Sequence, residues 1–195
     1  MQEYRRISES NQQKAHRILE DLSIISLWQD IGAEINLVGS LKTGLLCKHL
    51  DIDFHVYTDK VTIAGSFSVI LKICKNPRVK KFRFKNLLNT VENCLEWHLT
   101  YLDDNDNDWQ IDIIHMPKGS RYDGYFENFA SRLCEVMTEE ERLAILRLKY
   151  ETPDDEKIAG VEYYRAVIEG GVRTFEDFGR WRGENSLEGV LDWMP

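Results

Sequence analysis

At 195 residues the chain is long enough for one full domain with a sizeable core, whereas two large independent domains would be cramped. With 43% hydrophobic and 30% charged residues, the composition excludes a disordered or fibrous protein. The net charge of −8 disfavours a nucleic-acid partner, because a negative field repels polyanions and slows their association.

The sequence carries no recognisable signal for export or membrane insertion. No apolar run approaches the roughly 20 residues of a membrane helix, and residues 1–14 lack the apolar stretch of a secretory leader. The cysteines, at positions 47, 74, 94 and 134, are too widely spaced for a metal knuckle or a disulfide-rich framework. We therefore expect a cytoplasmic protein that does not contact a membrane. The oligomeric state stays open, a homodimer included.

Hydrophobic periodicity predicts alternating helices and strands in the first 119 residues. A capping box, Ser10-x-x-Gln13, and apolar residues at helical spacing predict an amphipathic helix over 8–30. Residues 34–38 are then predicted as a short strand that runs into a turn at Gly39-Ser40. Further along, the pattern predicts a helix over 66–75 and strands at 50–57, 79–85, 95–102 and 109–116.

Beyond residue 119 the helix signals succeed one another. Capping boxes begin at Thr138 and Thr174, and Thr152-Pro153 is predicted to open a helix that ends at Gly170-Gly171. The fold class is therefore α/β (α+β): a mixed sheet flanked by helices. We expect a core over 1–119 and a helical C-terminal region over 120–195 packed against it.

Three aspartates carry the predicted chemistry. Strand alternation places Asp51 and Asp53 on one face together with His55, and Asp112 lies between Ile111 and Ile113 in the last predicted strand. Carboxylate oxygens at this spacing are ligands that Mg²⁺ prefers. Because clustered carboxylates repel one another, such a group is stable mainly when cations neutralise it. We therefore predict two bound ions, Mg²⁺ or Mn²⁺.

The turn before these acids suits phosphate. Gly39 and Ser40 follow a predicted strand, so backbone N–H groups and a small hydroxyl can approach phosphate oxygens without a bulky side chain in the way. Two metal ions beside a bound triphosphate can activate an attacking hydroxyl and stabilise a leaving pyrophosphate.

A Gly-Ser turn, two acids separated by one apolar residue and a later acid in an apolar strand resemble the nucleotidyltransferase superfamily related to DNA polymerase beta. The resemblance covers residues 34–116. It implies a nucleotidyltransferase-type sheet and metal ligation by Asp51, Asp53 and Asp112, which would be the catalytic residues. It also implies nucleotide binding by Gly39 and Ser40. Many relatives have Arg or Tyr next, whereas this chain continues with Leu41, so Lys42 and Thr43 are only candidate nucleotide contacts.

The predicted function is transfer of a nucleoside monophosphate from a triphosphate such as ATP to a hydroxyl of a small-molecule or protein acceptor. The alternatives are a non-catalytic nucleotide- or partner-binding module with the same fold, and a two-metal phosphohydrolase. The basic run 72–85 either binds a triphosphate or polyanionic acceptor, or is a solvated sheet edge. His55 is interpreted mainly as structural. The C-terminal aromatic residues are interpreted as helix packing, although one could stack on a base: Tyr163, Tyr164, Phe175, Phe178 and Trp181.

Overall fold

The structure is a computed structural model that describes residues 3–185 and 193–195. These residues form a five-stranded mixed sheet flanked by helices, which confirms the predicted α/β class. The strands are β1 (Glu34–Val38), β2 (Asp51–Thr58), β3 (Val79–Asn86), β4 (Leu95–Leu102) and β5 (Asp108–Pro117). The helices are α1 (Glu3–Leu22), α2 (Ile24–Gln29), α3 (Gly39–Lys42), α4 (Ile63–Ile73), α5 (Tyr125–Val136), α6 (Glu139–Glu151), α7 (Gly160–Ile168) and α8 (Phe175–Glu184).

The sheet order is β1-β2-β5-β4-β3, so the last strand in sequence is the central one. β2 and β5 are parallel, and the other neighbouring strands are antiparallel. Directly paired residues on adjacent strands point to the same face of a sheet. The register therefore decides which side chains share a face, and it pairs Asp53 with Asp112.

One face of the sheet is buried under the N-terminal helices. Alternate residues of the two central strands point into this core, among them Ile52, Phe54 and Ile111, and all three are almost completely buried. They pack with Ile18 of α1 and Trp28 of α2. Each such side chain stabilises the fold by about 1.5–3 kcal/mol relative to exposure. This core fixes the opposite face as the one that carries the acids.

The C-terminal helices α5 to α8 form a second apolar cluster. Leu45 and Cys47, from the loop after α3, belong to this cluster and so join it to the sheet region. α6 begins at the predicted capping box, in which the Thr138 hydroxyl accepts from the Glu141 N–H. The division at residue 119 stays a prediction. None of the helices in the described ranges is long and apolar enough to cross a bilayer.

Two predicted helices have different bounds in the structure. The single helix over 8–30 is wrong, because Ser23 adopts a left-handed φ of 49° that separates α1, which ends at Leu22, from α2, which begins at Ile24. The helix predicted to open at Thr152-Pro153 is also wrong. Thr152 is instead the extended residue that ends α6, as expected before a proline, and α7 begins only at Gly160.

Candidate active site

The three predicted acids come together on the open face of the sheet. Asp51 and Asp53 lie two residues apart on β2, and Asp112 is the register partner of Asp53 on the parallel neighbour β5. All three line a cleft of about 360 Å³ between the sheet and helices α5 and α7. Gly39 and Ser40 line the same cleft. The parallel pairing of two strands nearly 60 residues apart thus assembles the predicted constellation.

Gly39 lies directly against one of the acids. Its φ of 67° is in the left-handed region that favours glycine, and a Cβ built on it would lie 2.1 Å from Asp53 Oδ2. No side chain fits in that space. The turn therefore needs glycine both for its backbone conformation and for the approach of the carboxylate.

The two carboxylates on β2 lie in an environment that disfavours their ionised form. Burial, followed by the negative charges of Asp51 and Asp112, raises the pKa of Asp53 from 3.8 to about 8. Burial also raises the pKa of Asp51, while the positive charge of Lys149 opposes the shift at both residues. The site therefore has an excess of negative charge that a bound cation would relieve.

Lys149 is a site residue that sequence reasoning missed. It lies on α6 with a relative exposure of 8%, and its Nζ donates hydrogen bonds to Ser40 Oγ at 2.8 Å and to the Leu45 carbonyl oxygen at 2.9 Å. One signal was present in the sequence: position 149 is one helical turn from the buried Ile145. A lysine on an apolar helix stripe needs a polar partner, but its identity depends on tertiary packing.

The donor set fits a hard divalent cation. Within 3–185 and 193–195, no three acidic, histidine or cysteine side chains already surround a common point as metal ligands do. At Asp112, Oδ1 lies 2.8 Å from His98 Nδ1 and Oδ2 accepts from Gln110 Nε2 at 2.8 Å. The carboxylates of Asp51, Asp53 and Asp112 all line one cleft and supply the oxygen ligands that Mg²⁺ prefers.

Comparison with known proteins gives structural matches alone, since neither a protein-family model nor a curated protein sequence matches the chain. A cytoplasmic RNA terminal U-transferase aligns with a TM-score of 0.55 and 18% identity, covering 83% of this chain and 48% of that one. The Cid1 poly(U) polymerase with MgGTP bound aligns with a TM-score of 0.56 and 18% identity, covering 83% and 50%. The GLD-2/RNP-8 complex gives a TM-score of 0.55 and 14% identity, covering 82% and 54%.

This chain has the nucleotidyltransferase fold. The fold that the Gly-Ser and aspartate motifs predicted is thereby confirmed. The chain spans about half the length of the solved structures it matches. At these identities the likeness concerns the fold, and the roles of individual residues stay predictions.

The two remaining nucleotide-binding candidates differ in position within the nucleotidyltransferase fold. Thr43 is buried, lines the cleft and donates its hydroxyl to the Gly39 carbonyl oxygen at 3.1 Å, which supports the turn. Lys42 is exposed at the end of α3 and is not among the residues that line the cleft. Of the two, only Thr43 lines the cleft together with Gly39 and Ser40.

An apolar wall closes the cleft opposite the acids. Phe129 and Tyr164 line this wall together with Phe126, which meets the ring of His55 edge-on at 5.0 Å between centroids. Burial lowers the pKa of His55 to about 4, so its imidazole is neutral at pH 7. Tyr163, by contrast, stacks on Phe178 inside the helical cluster. Of these two neighbouring tyrosines, Tyr164 is the one that faces the cleft.

The basic run of the sequence ends on β3, the edge strand of this nucleotidyltransferase sheet. Lys81, Arg83 and Lys85 are exposed, and their pairing with β4 places them on the same face as the acids. Arg83 pairs with His98, which in turn pairs with Asp112. A basic edge and the acidic cleft therefore lie on one open surface.

Proposed function

We propose that this protein is a metal-dependent nucleotidyltransferase that uses a nucleoside triphosphate as donor. The observation that supports this most is the alignment of Asp53 with Asp112 beside the Gly39-Ser40 turn in one cleft. Clustered buried acids destabilise a fold unless a cation neutralises them. Metal binding gives these acids a physical reason to lie together.

Each wall of the cleft would contact a different part of the donor. Lys149 lines an adjoining cavity that shares Ser40 and Asp51 with the cleft. The Ser40 hydroxyl and the Lys149 ammonium, 2.8 Å apart, would hold phosphate oxygens. The aromatic wall of Phe126, Phe129 and Tyr164 offers a flat apolar surface for a base and excludes water. When bound, Mg²⁺ or Mn²⁺ held by Asp51, Asp53 and Asp112 would offset the phosphate charge and lower the pKa of the acceptor hydroxyl.

In the proposed reaction, the oxygen of an acceptor hydroxyl forms a bond to the α-phosphorus of the donor. The bond from that phosphorus to the oxygen bridging to the β-phosphorus breaks, and pyrophosphate leaves with the electron pair. The hydroxyl proton passes to a carboxylate oxygen of Asp112. Positioning and electrostatic stabilisation supply most of the rate in such a transfer.

We propose a small molecule or a protein as the acceptor, because the net charge of −8 opposes the approach of a polyanion. RNA is the second candidate. The observation that favours it is the exposed face of Lys81, Arg83 and Lys85 on the same side of the sheet as the acids. Two of the similar structures are of RNA terminal uridylyl or poly(U) enzymes, which points the same way.

The first test needs no acceptor. Binding of non-hydrolysable analogues of the four common nucleoside triphosphates should be measured by calorimetry with Mg²⁺ and with EDTA. We expect wild-type protein to bind at least one analogue only when Mg²⁺ is present, and Asp53→Asn to lose this binding. Absence of binding by the wild type to all four analogues would overturn the proposal.

The second test separates an enzyme from a binding module. Triphosphates labelled at the α-phosphorus are incubated with the protein, Mg²⁺ and separate acceptor pools of metabolites, proteins or single-stranded RNA. We expect label to enter one pool with the wild type and none with Asp53→Asn. Metal-dependent binding without transfer to any pool would identify the non-catalytic module instead.

A further inference from the structure

A row of polar side chains crosses the open face of the sheet from the edge strand to the candidate site. Lys85 Nζ lies 2.7 Å from Glu96 Oε2, and the same oxygen lies 3.5 Å from His98 Nε2. The other ring nitrogen, His98 Nδ1, lies 2.8 Å from Asp112 Oδ1. The side chains of Glu96, His98 and Asp112 are each only about one-fifth exposed. These contacts link strands β3, β4 and β5 through one histidine.

The hydrogen bond to Asp112 determines the ring orientation of this histidine and which of its nitrogens is the donor. A carboxylate oxygen accepts, so His98 Nδ1 is the donor of this hydrogen bond. The ring cannot turn over without losing this bond. Nε2 is buried and has no hydrogen bond of normal geometry within the described part of the chain, which leaves Asp112 as the well-formed polar contact of the imidazole.

The hydrogen bond also fixes the carboxylate. His98 holds Oδ1 of Asp112 from the neighbouring strand, while Gln110 holds Oδ2 from the same strand. Within the described part of the chain, no side chain donates a hydrogen bond to Asp51 or Asp53, and Lys149 acts on both through its charge. Of the three acids, Asp112 is therefore the one whose orientation is set by side-chain hydrogen bonds to both oxygens.

We infer that His98 is a positioning residue, which orients the Asp112 carboxylate so that one of its oxygens can be shared with a metal ion while the other stays hydrogen-bonded. This inference rests on the proposed function. Partners behind a metal ligand typically contribute about 10–100-fold to metal affinity or activity, because they limit the orientations that the ligand adopts. His98 acts through Asp112 and does not contact the donor.

The test compares two amide replacements. The side-chain nitrogen of asparagine occupies the place of His98 Nδ1, whereas that of glutamine reaches only the place of Nε2. We expect His98→Asn to keep Mn²⁺ affinity and kcat near the wild-type values. His98→Gln and His98→Ala should each weaken Mn²⁺ binding and lower kcat by about 10–100-fold, with an unchanged KM for the triphosphate. Mn²⁺ binding is measured by calorimetry without nucleotide.

A matched control excludes a general effect on the strand. Thr100 lies on the same face of β4, two residues from His98 and opposite Gln110. Thr100→Val should leave Mn²⁺ affinity and kcat unchanged, and all four variants should melt within a few degrees of the wild type. The positioning role would be overturned if His98→Gln and His98→Asn had equal Mn²⁺ affinity, whether both kept the wild-type value or both lost affinity to the same extent.

The two proposals fail in different ways. If Asp53→Asn abolishes metal-dependent nucleotide binding while His98→Gln changes neither Mn²⁺ affinity nor kcat, the proposed function stands and the positioning role is wrong. If the wild type binds no triphosphate analogue with Mg²⁺, the proposed function is wrong irrespective of His98.

Discussion

At the scale of single residues, Gly39 and Asp53 constrain each other. The turn that is predicted to hold phosphate packs against an acid that is predicted to hold metal, with the missing Cβ of Gly39 as the space between them. A change at either position therefore disturbs both predicted functions. The effect of the contact with Asp53 can be separated from the backbone preference of glycine by comparison with a second glycine that has a similar φ and no such contact.

We predict that Gly39→Ala is more destabilising than Gly32→Ala. Both positions have a positive φ, 67° and 76°, so both changes incur roughly 1–2 kcal/mol of backbone strain. Only Gly39 has a neighbour in the way, and overlap with Asp53 should cost about 1–3 kcal/mol more. Urea unfolding gives both free energies. Equal stabilities of the two variants would mean that Asp53 moves aside freely.

Asp53 predicts an inverted dependence of stability on pH. The pKa of its carboxyl is about 8 in the folded protein and 3.8 in the unfolded chain, so the folded state binds the proton more tightly. Stability present below pH 4 is therefore lost as the pH rises towards 8. Between pH 4 and pH 6.5 the loss is offset, because the buried imidazoles of His55 and His115, whose pKa is lowered to about 4, add stability as the pH rises. In EDTA, the melting temperature of the wild type should therefore fall between about pH 6.5 and pH 8, and Mg²⁺ should restore it at pH 8.

The control for this pH dependence is Asp53→Asn, which keeps the shape of the side chain and removes its titration. We expect its melting temperature in EDTA to fall less over the same pH range and to respond less to Mg²⁺. A wild-type melting temperature that rises from about pH 6.5 to pH 8 in EDTA would show that Asp53 is stabilised by a permanent partner such as Lys149.

At the scale of elements, the contact between α6 and α3 completes the site. Lys149 brings its charge from α6 to Ser40 at the start of α3, although the two residues are 109 positions apart. The sheet supplies the acids, and the C-terminal helices supply the positively charged side chain of Lys149. The helical region is thus predicted to be part of the nucleotide-binding cleft and not a separate appendage.

We predict that Lys149→Met raises the KM or the dissociation constant of the triphosphate by about tenfold or more, because hydrogen bonds to charged groups contribute about 1.5–3 kcal/mol. Lys42→Met is the matched control, since Lys42 is exposed, whereas Lys149 is buried and donates to Ser40. Binding of the non-hydrolysable analogue with Mg²⁺ measures both. A larger effect of Lys42→Met would restore Lys42 as the phosphate contact.

At the scale of the whole molecule, the net charge and the charge of the surface beside the cleft have opposite signs. The protein carries a net charge of −8, yet the exposed face of β3 presents three basic side chains beside the cleft. Lys85 is already paired with Glu96 at 2.7 Å, which reduces the charge available to a ligand. The long-range field and the local patch therefore predict opposite acceptors.

We predict that the long-range field dominates and that single-stranded RNA and DNA bind no more tightly than about 1 µM at roughly 150 mM salt. Fluorescence anisotropy with mixed-sequence oligonucleotides measures this. Clearly tighter binding that is lost when Lys81, Arg83 and Lys85 are replaced together by Ala would make RNA the favoured acceptor. Replacement of Lys60, Lys72 and Lys75, which are exposed outside β3, removes the same charge and serves as the control.

The sequence by itself determined the parts that depend on neighbouring residues. The alternation of polar and apolar residues located all five strands within two residues of their ends and assigned Asp51, Asp53 and Asp112 to the polar face. The Gly-Ser turn was predictable for the same reason, since its conformation depends on the residues that form it. The break at Ser23 was not, because a capping box and helical spacing also describe two successive helices.

Only the tertiary structure decided which distant side chains meet. The parallel pairing of β2 with β5 places Asp112 beside Asp53, and the antiparallel register of β4 selects His98 as the partner of Asp112. The packing of α6 likewise brings Lys149 to Ser40. Periodicity encodes the face on which a residue lies, whereas its partners depend on strand order and helix packing, which many residues far apart in the chain determine together.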